Sequence, residues 1–79
     1  MNVYKQILID IARAIVDDPD SVTVSSSEGE DGEIVLTLSV APDDMGKVIG
    51  KHGKIAKAIR SVIRAAANRD GDRVIVEIQ

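Results

Sequence analysis

The pattern of apolar residues along this 79-residue chain predicts an α+β domain. Its first fifteen residues carry apolar side chains at helical spacing, whereas three later segments alternate apolar and polar residues as strands do. Turns that contain glycine separate most of these segments. A chain of this length forms one domain with a small core, so we expect residues 1–79 to fold as a single unit.

A helix is predicted first, followed by a β-hairpin. Asn2 is a suitable N-cap for the helix, and Asp17-Asp18-Pro19 ends it. The apolar residues that define this helix are Val3, Ile7, Leu8, Ile11, Ala14 and Ile15. Turn-forming residues at positions 28–32 then separate two alternating segments, which we expect to pair with one buried face. Their inward residues are Val22 and Val24 in one strand, and Ile34, Leu36, Leu38 and Val40 in the other.

Two helices and a strand are predicted in the second half of the chain. Pro42 is suited to the first turn of a short helix that ends near Ile49, and Asp43 and Asp44 complement its N-terminal dipole. A long helix covers about residues 54–68. After the turn at residues 70–72, the alternation of residues 73–78 predicts the last strand. The order is therefore helix, strand, strand, helix, helix, strand.

The long helix has more apolar surface than one packed face requires. At 100° per residue, its apolar arc spans roughly 200°. The polar side consists of Lys57, Arg60, Ser61, Arg64 and Asn68. We expect the core side to consist of Ile55, Ala58, Ile59, Val62, Ala65 and Ala66. Beyond it lie Ala56, Ile63 and Ala67, which either contact a second copy of the chain or, in the case of Ile63, pack against the first helix.

A short turn with two glycines separates the two adjacent helices, in the run Val48-Ile-Gly-Lys-His-Gly-Lys-Ile55. Gly50 can supply the positive φ that ends the first of them. We expect free backbone N–H groups near Gly53 and Lys54, at the start of the next helix, to form an anion site. Phosphate is the anion that this arrangement favours.

The charge distribution supports the same interpretation. The chain is acidic as a whole, with a formal charge of −3 and a pI of about 4.9. Seven of its ten Lys and Arg residues nevertheless lie between residues 45 and 69, where there is no Asp or Glu. Such segregation predicts one basic surface that faces a polyanion, rather than indiscriminate binding.

These residues resemble a known family. Gly50-Lys51-His52-Gly53, between Val48-Ile49 and Lys54-Ile55, resembles the GXXG loop of a KH domain. The wider run of residues 42–60 is similar to the small single-domain bacterial KH proteins called KhpA, and the resemblance covers essentially the whole chain. It implies the type II KH fold, with three helices on one face of a three-stranded mixed sheet.

The resemblance also implies a binding mechanism. KH domains hold about four nucleotides of single-stranded RNA or DNA in a narrow groove, with the backbone clamped at the GXXG loop and the bases against aliphatic side chains. By this resemblance the nucleic-acid-binding residues are Lys47, Ile49, Gly50, Lys51, His52, Gly53, Lys54, Ile55 and Lys57. No aromatic platform is needed, which fits a chain whose single aromatic residue is Tyr4.

Other classes of protein are disfavoured by what the sequence lacks. No nucleophile lies near the single histidine, His52, and the glycine turn lacks the Ser or Thr of a P-loop, so we expect no enzyme. The paired aspartates 17–18 and 43–44 fit helix ends better than metal sites, and we expect no cofactor. The chain has no cysteine and no long apolar run, which predicts a cytoplasmic protein.

The expected function is weak binding of single-stranded RNA, as an RNA-binding protein or RNA chaperone. The family resemblance further implies a homodimer, a heterodimer with a larger KH-containing protein called KhpB, and links to cell-envelope and division control in some bacteria. The alternative is a protein-interaction module with a KH fold whose loop binds little RNA.

Overall fold

The computed structural model describes residues 3–79, so the N-cap expected at Asn2 lies outside the described part. The helices and strands are α1 (Val3–Ile15), β1 (Thr23–Glu28), β2 (Ile34–Ser39), α2 (Met45–Ile49), α3 (Lys54–Asp70) and β3 (Val74–Ile78). Single 3-10 turns precede β1, α2 and α3, at Pro19–Ser21, Pro42–Asp44 and Lys51–Gly53. The predicted order of elements is confirmed.

The three strands form one mixed sheet in the order β1-β2-β3. β1 and β2 are antiparallel, with Val24 opposite Leu38, whereas β2 and β3 are parallel, with Leu36 opposite Val76. A parallel pair requires a crossover connection, which α2 and α3 provide. Among the described strands β3 pairs with β2 alone, so the other edge of β3 is open.

Alternation along the strands determines which face of the sheet is covered. Val24, Leu36, Leu38 and Val76 point to one face and are buried. The opposite face of β1 and β2 carries mainly hydroxyl side chains: Thr23, Ser25, Ser27, Val35, Thr37 and Ser39. All three helices therefore pack on the apolar face, as predicted.

The core is aliphatic and contains residues from all three helices and from the sheet. Leu8 of α1, Val48 of α2 and Ile63 of α3 are fully buried together with Leu36 and Leu38 of β2. Val48 anchors α2, a helix of five residues that is too short to be stable in isolation. No helix in residues 3–79 is long and apolar enough to cross a membrane.

Tyr4 joins α1 to the C-terminal end of α3. Its ring is buried, and its hydroxyl lies 2.6 Å from Asp72 Oδ2 and 2.8 Å from Asp70 Oδ2. Its single proton is donated to one carboxylate at a time, and the shorter contact is the one to Asp72. The hydrogen bond to Asp72, followed by burial and the hydrogen bond to Asp70, raises the pKa of Tyr4. Gly71, at φ 77°, ends α3 between these two carboxylates.

The buried face of α3 differs from the predicted one. Ala56, Ile59, Ile63 and Ala67 are buried, and Ile63 lies in the same cluster as Leu8 of α1. Ala56, Ile63 and Ala67 are buried within the domain and therefore offer little surface to a second copy of the chain. For Ile63 the structure agrees with the other alternative, in which it packs against the first helix. Exposed instead are Ile55, Ala58, Val62 and Ala65, which were expected in the core.

Candidate nucleic-acid interface

Gly50 makes the sharp turn between α2 and α3. Its backbone lies at φ 75° and ψ 171°, a region that essentially only glycine occupies. A Cβ atom added at this position would also lie 2.9 Å from the backbone nitrogen of Ile55. Both observations require glycine at position 50. The close approach to Ile55 also shows that the end of α2 packs against the first turn of α3.

His52 and Gly53 complete the turn in the left-handed region, at φ 58° and φ 74°. The N–H of Gly53 donates to the carbonyl of Gly50 at 3.1 Å, and the N–H of Lys54 donates to the carbonyl of Lys51. The expectation that these two N–H groups are free for an anion is therefore wrong, because the turn uses both. Any attraction for phosphate here depends on the side chains and on the N-terminal dipole of α3.

The side chains that the turn presents are basic and accessible. Lys51 and His52 lie in the turn itself and are exposed, as are Lys54 and Lys57 in the first turn of α3. The N-terminus of the 17-residue α3 adds the positive end of its dipole at the same place. No acidic residue lies in this part of the chain to compete for these cations.

Lys47 differs from the other predicted cations because it is already paired. Its Nζ lies 3.0 Å from Asp17 Oδ2 and 3.6 Å from Asp44 Oδ1. The hydrogen bond to Asp17, together with the charges of both carboxylates, raises the pKa of Lys47. A phosphate would have to compete with Asp17 for this ammonium group.

Asp44 holds the loop after α1 against α2. Its side chain is buried, and its two oxygens accept the backbone N–H groups of Asp17 at 3.2 Å and Asp18 at 3.1 Å. Burial alone would raise the pKa of Asp44, but these hydrogen bonds and the charge of Lys47 lower it. Asp44 occupies the N-cap position of α2, but its side chain makes no capping hydrogen bond to that helix.

The two isoleucines that were expected to line the groove are both partly exposed, Ile49 at 38% and Ile55 at 37%. Ile55 projects about 160° away from Lys57 around α3, because the two residues are two positions apart. It therefore shares a flank with the exposed Val62, and not with the basic residues. The predicted site residues thus divide between two sides of α3.

The basic flank of α3 faces the open edge of β3, which the sequence did not predict. Arg60 Nε donates to the carbonyl of Val76 at 3.1 Å and so fixes this orientation. Lys57 and Arg64 lie on the same flank and are exposed. The groove between α3 and β3 therefore continues the cationic surface of the turn. Helical spacing predicts that Arg60 and Arg64 lie on the polar side of α3. Only the contact between Arg60 and Val76 shows that this side faces the edge of β3.

The fold is shared with solved structures of Era. The structure of Era with MgGDPNP and nucleotides 1506–1542 of 16S ribosomal RNA superposes with a TM-score of 0.65, at 21% identity. Era of Aquifex aeolicus bound to GDP and AlF4⁻ superposes with a TM-score of 0.62. Each match covers 96% of this chain but 29% of the Era chain, so the likeness is to one part of Era.

Sequence comparison covers nearly the whole chain. The family model described as KhpA/KhpB, KH domain, matches residues 5–78. The RNA-binding protein KhpA of Clostridium acetobutylicum is 61% identical over 74 residues, which cover 94% of this chain and 97% of that protein. RNA-binding protein KhpA of Treponema pallidum is 50% identical and covers 94% and 91%. The chain therefore belongs to the KhpA/KhpB family of KH domains.

Proposed function

We propose that this chain binds single-stranded RNA and that the turn Gly50–Gly53 is the clamp on the phosphate backbone. The observation that carries the proposal is the turn itself, which exposes Lys51 and His52 between two glycines held at positive φ. Close approach of a nucleic-acid backbone requires a turn without bulky side chains, and glycine provides it. Membership of a family whose curated members are named RNA-binding proteins supports this assignment.

The bases would lie in the groove between the basic flank of α3 and the open edge of β3. Single-stranded RNA exposes the hydrogen-bonding edges of its bases, which a strand edge can contact. Lys57 would attract the phosphates. Lys47 contributes less than Lys51, since it is paired with Asp17. Binding of this kind involves no chemical reaction, so we assign the chain no enzymatic activity.

We assign the protein to the cytoplasm, where its RNA partners are, and expect it to act as an RNA chaperone. A short site that binds phosphates and a few bases recognises little sequence, because phosphate contacts carry no base information. Weak, reversible contacts of this kind suit a protein that meets many RNAs. A dimer would present two RNA-binding sites and so would raise the effective affinity for a long RNA through avidity.

The loop assignment is tested by charge reversal. We compare wild type, the Lys51→Asp/His52→Asp variant and the Arg13→Asp variant for binding to a labelled single-stranded RNA. Arg13 is exposed in the last turn of α1, outside the basic segment, so it controls for the reversal of one positive charge elsewhere on the surface. We expect the loop variant to lose at least tenfold in affinity and Arg13→Asp to lose less than threefold. Equal losses would contradict the loop assignment.

A second surface on α3 favours self-association. Ile55, Ala58, Val62 and Ala65 are exposed and follow each other at spacings of three, four and three residues. This is the a/d spacing at which two helices pack against each other, and the two alanines allow close approach. We assign this surface to a homodimer through α3. It lies on the flank away from Arg60, so the dimer leaves the α3–β3 groove open.

The same surface can accept a related KH domain, so we extend the assignment to a heterodimer with the larger family member KhpB. Sedimentation equilibrium tests the homodimer with Val62→Asp and a matched control, Ser61→Asp, on the polar side of the same turn. We expect the control to keep a mass that rises with concentration and Val62→Asp to remain a monomer. If wild type keeps its monomer mass throughout the micromolar range, this surface does not form a homodimer. If RNA binding proves insensitive to the loop while Val62→Asp abolishes assembly, the alternative of a protein-interaction module is favoured.

A further inference from the structure

A surface cavity of about 280 Å³ lies at the end of the groove opposite the glycine turn. It is formed where the C-terminal part of α3 meets the start of β3. Its lining residues are Arg64, Ala67, Asn68, Asp72, Arg73, Val74 and Ile75. The volume is slightly below the usual range for small-molecule pockets, about 300–1,000 Å³, which fits one planar group rather than a whole ligand.

The cavity is too far from the turn to belong to the same nucleotide. Fourteen residues of α3 separate Lys54 from Asn68, which at 1.5 Å per residue is about 21 Å. A nucleotide clamped at Lys51 and His52 cannot reach that distance with its own base. Any base in the cavity therefore belongs to a nucleotide several positions along the strand.

The open edge of β3 offers the cavity a backbone donor and acceptor. Ile34 N–H donates to the carbonyl of Arg73, and Gln79 N–H donates to that of Leu38. In a parallel ladder with this register, the alternate residues Val74, Val76 and Ile78 turn their N–H and C=O groups away from β2. The bond from Arg60 to the carbonyl of Val76 agrees with this.

Val74 therefore presents one outward N–H and one outward C=O at the cavity, without a strand beside it. A neighbouring donor and acceptor of this kind match the edge of a nucleobase, which also carries both groups. Asn68, exposed on α3, adds a side-chain amide that can donate and accept.

The charges at the cavity favour an anionic strand. Arg64 and Arg73 are exposed and line it from the helix side and the strand side. The acidic member of the lining, Asp72, accepts the hydroxyl proton of Tyr4 at 2.6 Å. Guanidinium groups both pair with phosphate and stack on bases, so this arrangement can hold an unstacked nucleotide without an aromatic residue.

We propose that the cavity is a second nucleotide subsite, which takes one unpaired base of the same single-stranded RNA that the glycine turn clamps. The proposal rests on the RNA-binding function assigned above and extends it. The footprint then runs along the whole of α3, and an RNA of only four nucleotides fills the turn but not the cavity. The affinity for longer RNA depends on Arg64 and Arg73, whereas the affinity for the tetranucleotide does not.

The test compares variants on RNAs of four and ten nucleotides with the same base composition. Arg64→Gln, Arg73→Gln and Asn68→Ala each alter the cavity. Arg69→Gln is the matched control, because it removes the same charge near the same end of α3 but lies outside the lining. A longer RNA offers more positions at which a protein can bind. Because each variant is compared with wild type on the same RNA, this number does not affect the ratio of their affinities.

We expect each arginine variant to weaken binding of the ten-nucleotide RNA at least fivefold, the effect of losing about one stacked base. Binding of the four-nucleotide RNA should change less than twofold, and Arg69→Gln should match wild type on both. Thermal unfolding confirms that each variant is folded, and Asn68→Ala keeps the charge constant.

Equal losses on both RNAs would overturn the proposal, because the arginines would then act on the same nucleotides as the turn. Unchanged affinity for the ten-nucleotide RNA would also overturn it and would leave the open edge of β3 to an added protein strand. Failure of the RNA-binding function itself gives a different result, in which the Lys51→Asp/His52→Asp variant binds both RNAs as wild type does.

Discussion

The carboxylate of Asp44 accepts the backbone N–H of Asp18 at 3.1 Å, across 26 positions of the chain. This contact ties the loop after α1 to the start of α2, the short helix that leads into the glycine turn. Because α2 has only five residues, its position depends on such tertiary contacts and on the buried Val48. The geometry of the turn therefore depends on a carboxylate outside it.

Asp44→Asn should destabilise the fold in a pH-dependent way. The folded-state pKa of Asp44 is lowered, so its carboxylate stabilises the fold above its unfolded pKa of about 4, and this contribution disappears as the pH falls through the lowered value. We expect the variant to melt several degrees below wild type at pH 7 and the gap to narrow below about pH 4. Asp43→Asn, at the exposed neighbouring position, is the control. A gap that stays constant from pH 7 to pH 3 would contradict this role.

Asp17→Asn should strengthen RNA binding. The change removes the partner that lies 3.0 Å from Lys47 and leaves this ammonium group only the more distant Asp44, at 3.6 Å, so a phosphate meets less competition. Exposed ion pairs contribute about 0.2–1 kcal/mol, so we expect a gain of at most about fivefold in affinity. Asp18→Asn makes the same change of net charge beside it without touching Lys47. If both variants gain equally, the effect comes from overall charge and Lys47 has no special part in it.

Gly50→Ala and Gly46→Ala should have opposite effects on stability. Gly50 occupies a glycine-only conformation and lies against the backbone of Ile55, so we expect alanine there to destabilise the fold by about 1–3 kcal/mol. Gly46 lies within α2 with open space around its Cα, where alanine should stabilise by about 0.5–1 kcal/mol. Urea denaturation measures both. Similar changes for the two variants would show that the turn is less constrained than described.

Ile63→Ala should cost about 2–5 kcal/mol of stability, because Ile63 is fully buried between α1 and the sheet. Val62→Ala, one position along and 50% exposed, should change the stability of the isolated domain by less than about 1 kcal/mol. Denaturation is measured at protein concentrations at which the chain is monomeric, so that the free energy of unfolding contains no contribution from dimerisation. A small loss at Ile63 together with a large one at Val62 would restore the original assignment of the two faces of α3.

The sequence predicted the fold well because alternation and helical spacing are local properties. Leu36 and Leu38 alternate with Val35, Thr37 and Ser39 and are buried as expected. The orientation of α3 failed because its apolar arc is wide enough for two interpretations. Only the contact of Ile63 with α1 decides that Ile63 is inside and Val62 outside.

The geometry of the candidate site could be predicted where a local signal exists but not where it depends on a long-range contact. Gly50 and Gly53 mark the turn because only special backbone conformations need them. Nothing in the sequence distinguishes Asp44 from Asp43, yet one is buried under the α1 loop and the other is exposed. The contact of Arg60 with the edge of β3 likewise depends on the packing of α3 on the sheet.

The salt dependence of RNA binding tests the central claim most directly. We would titrate wild type and the Lys51→Asp/His52→Asp variant into a labelled four-nucleotide RNA at several salt concentrations. With about three phosphate contacts at the turn, the logarithm of affinity should fall against the logarithm of salt with a slope near −2 for wild type, and the variant should bind too weakly to measure or with a much shallower slope. A slope near zero for wild type, or the same slope for both proteins, would contradict the assignment of the glycine turn as an RNA clamp.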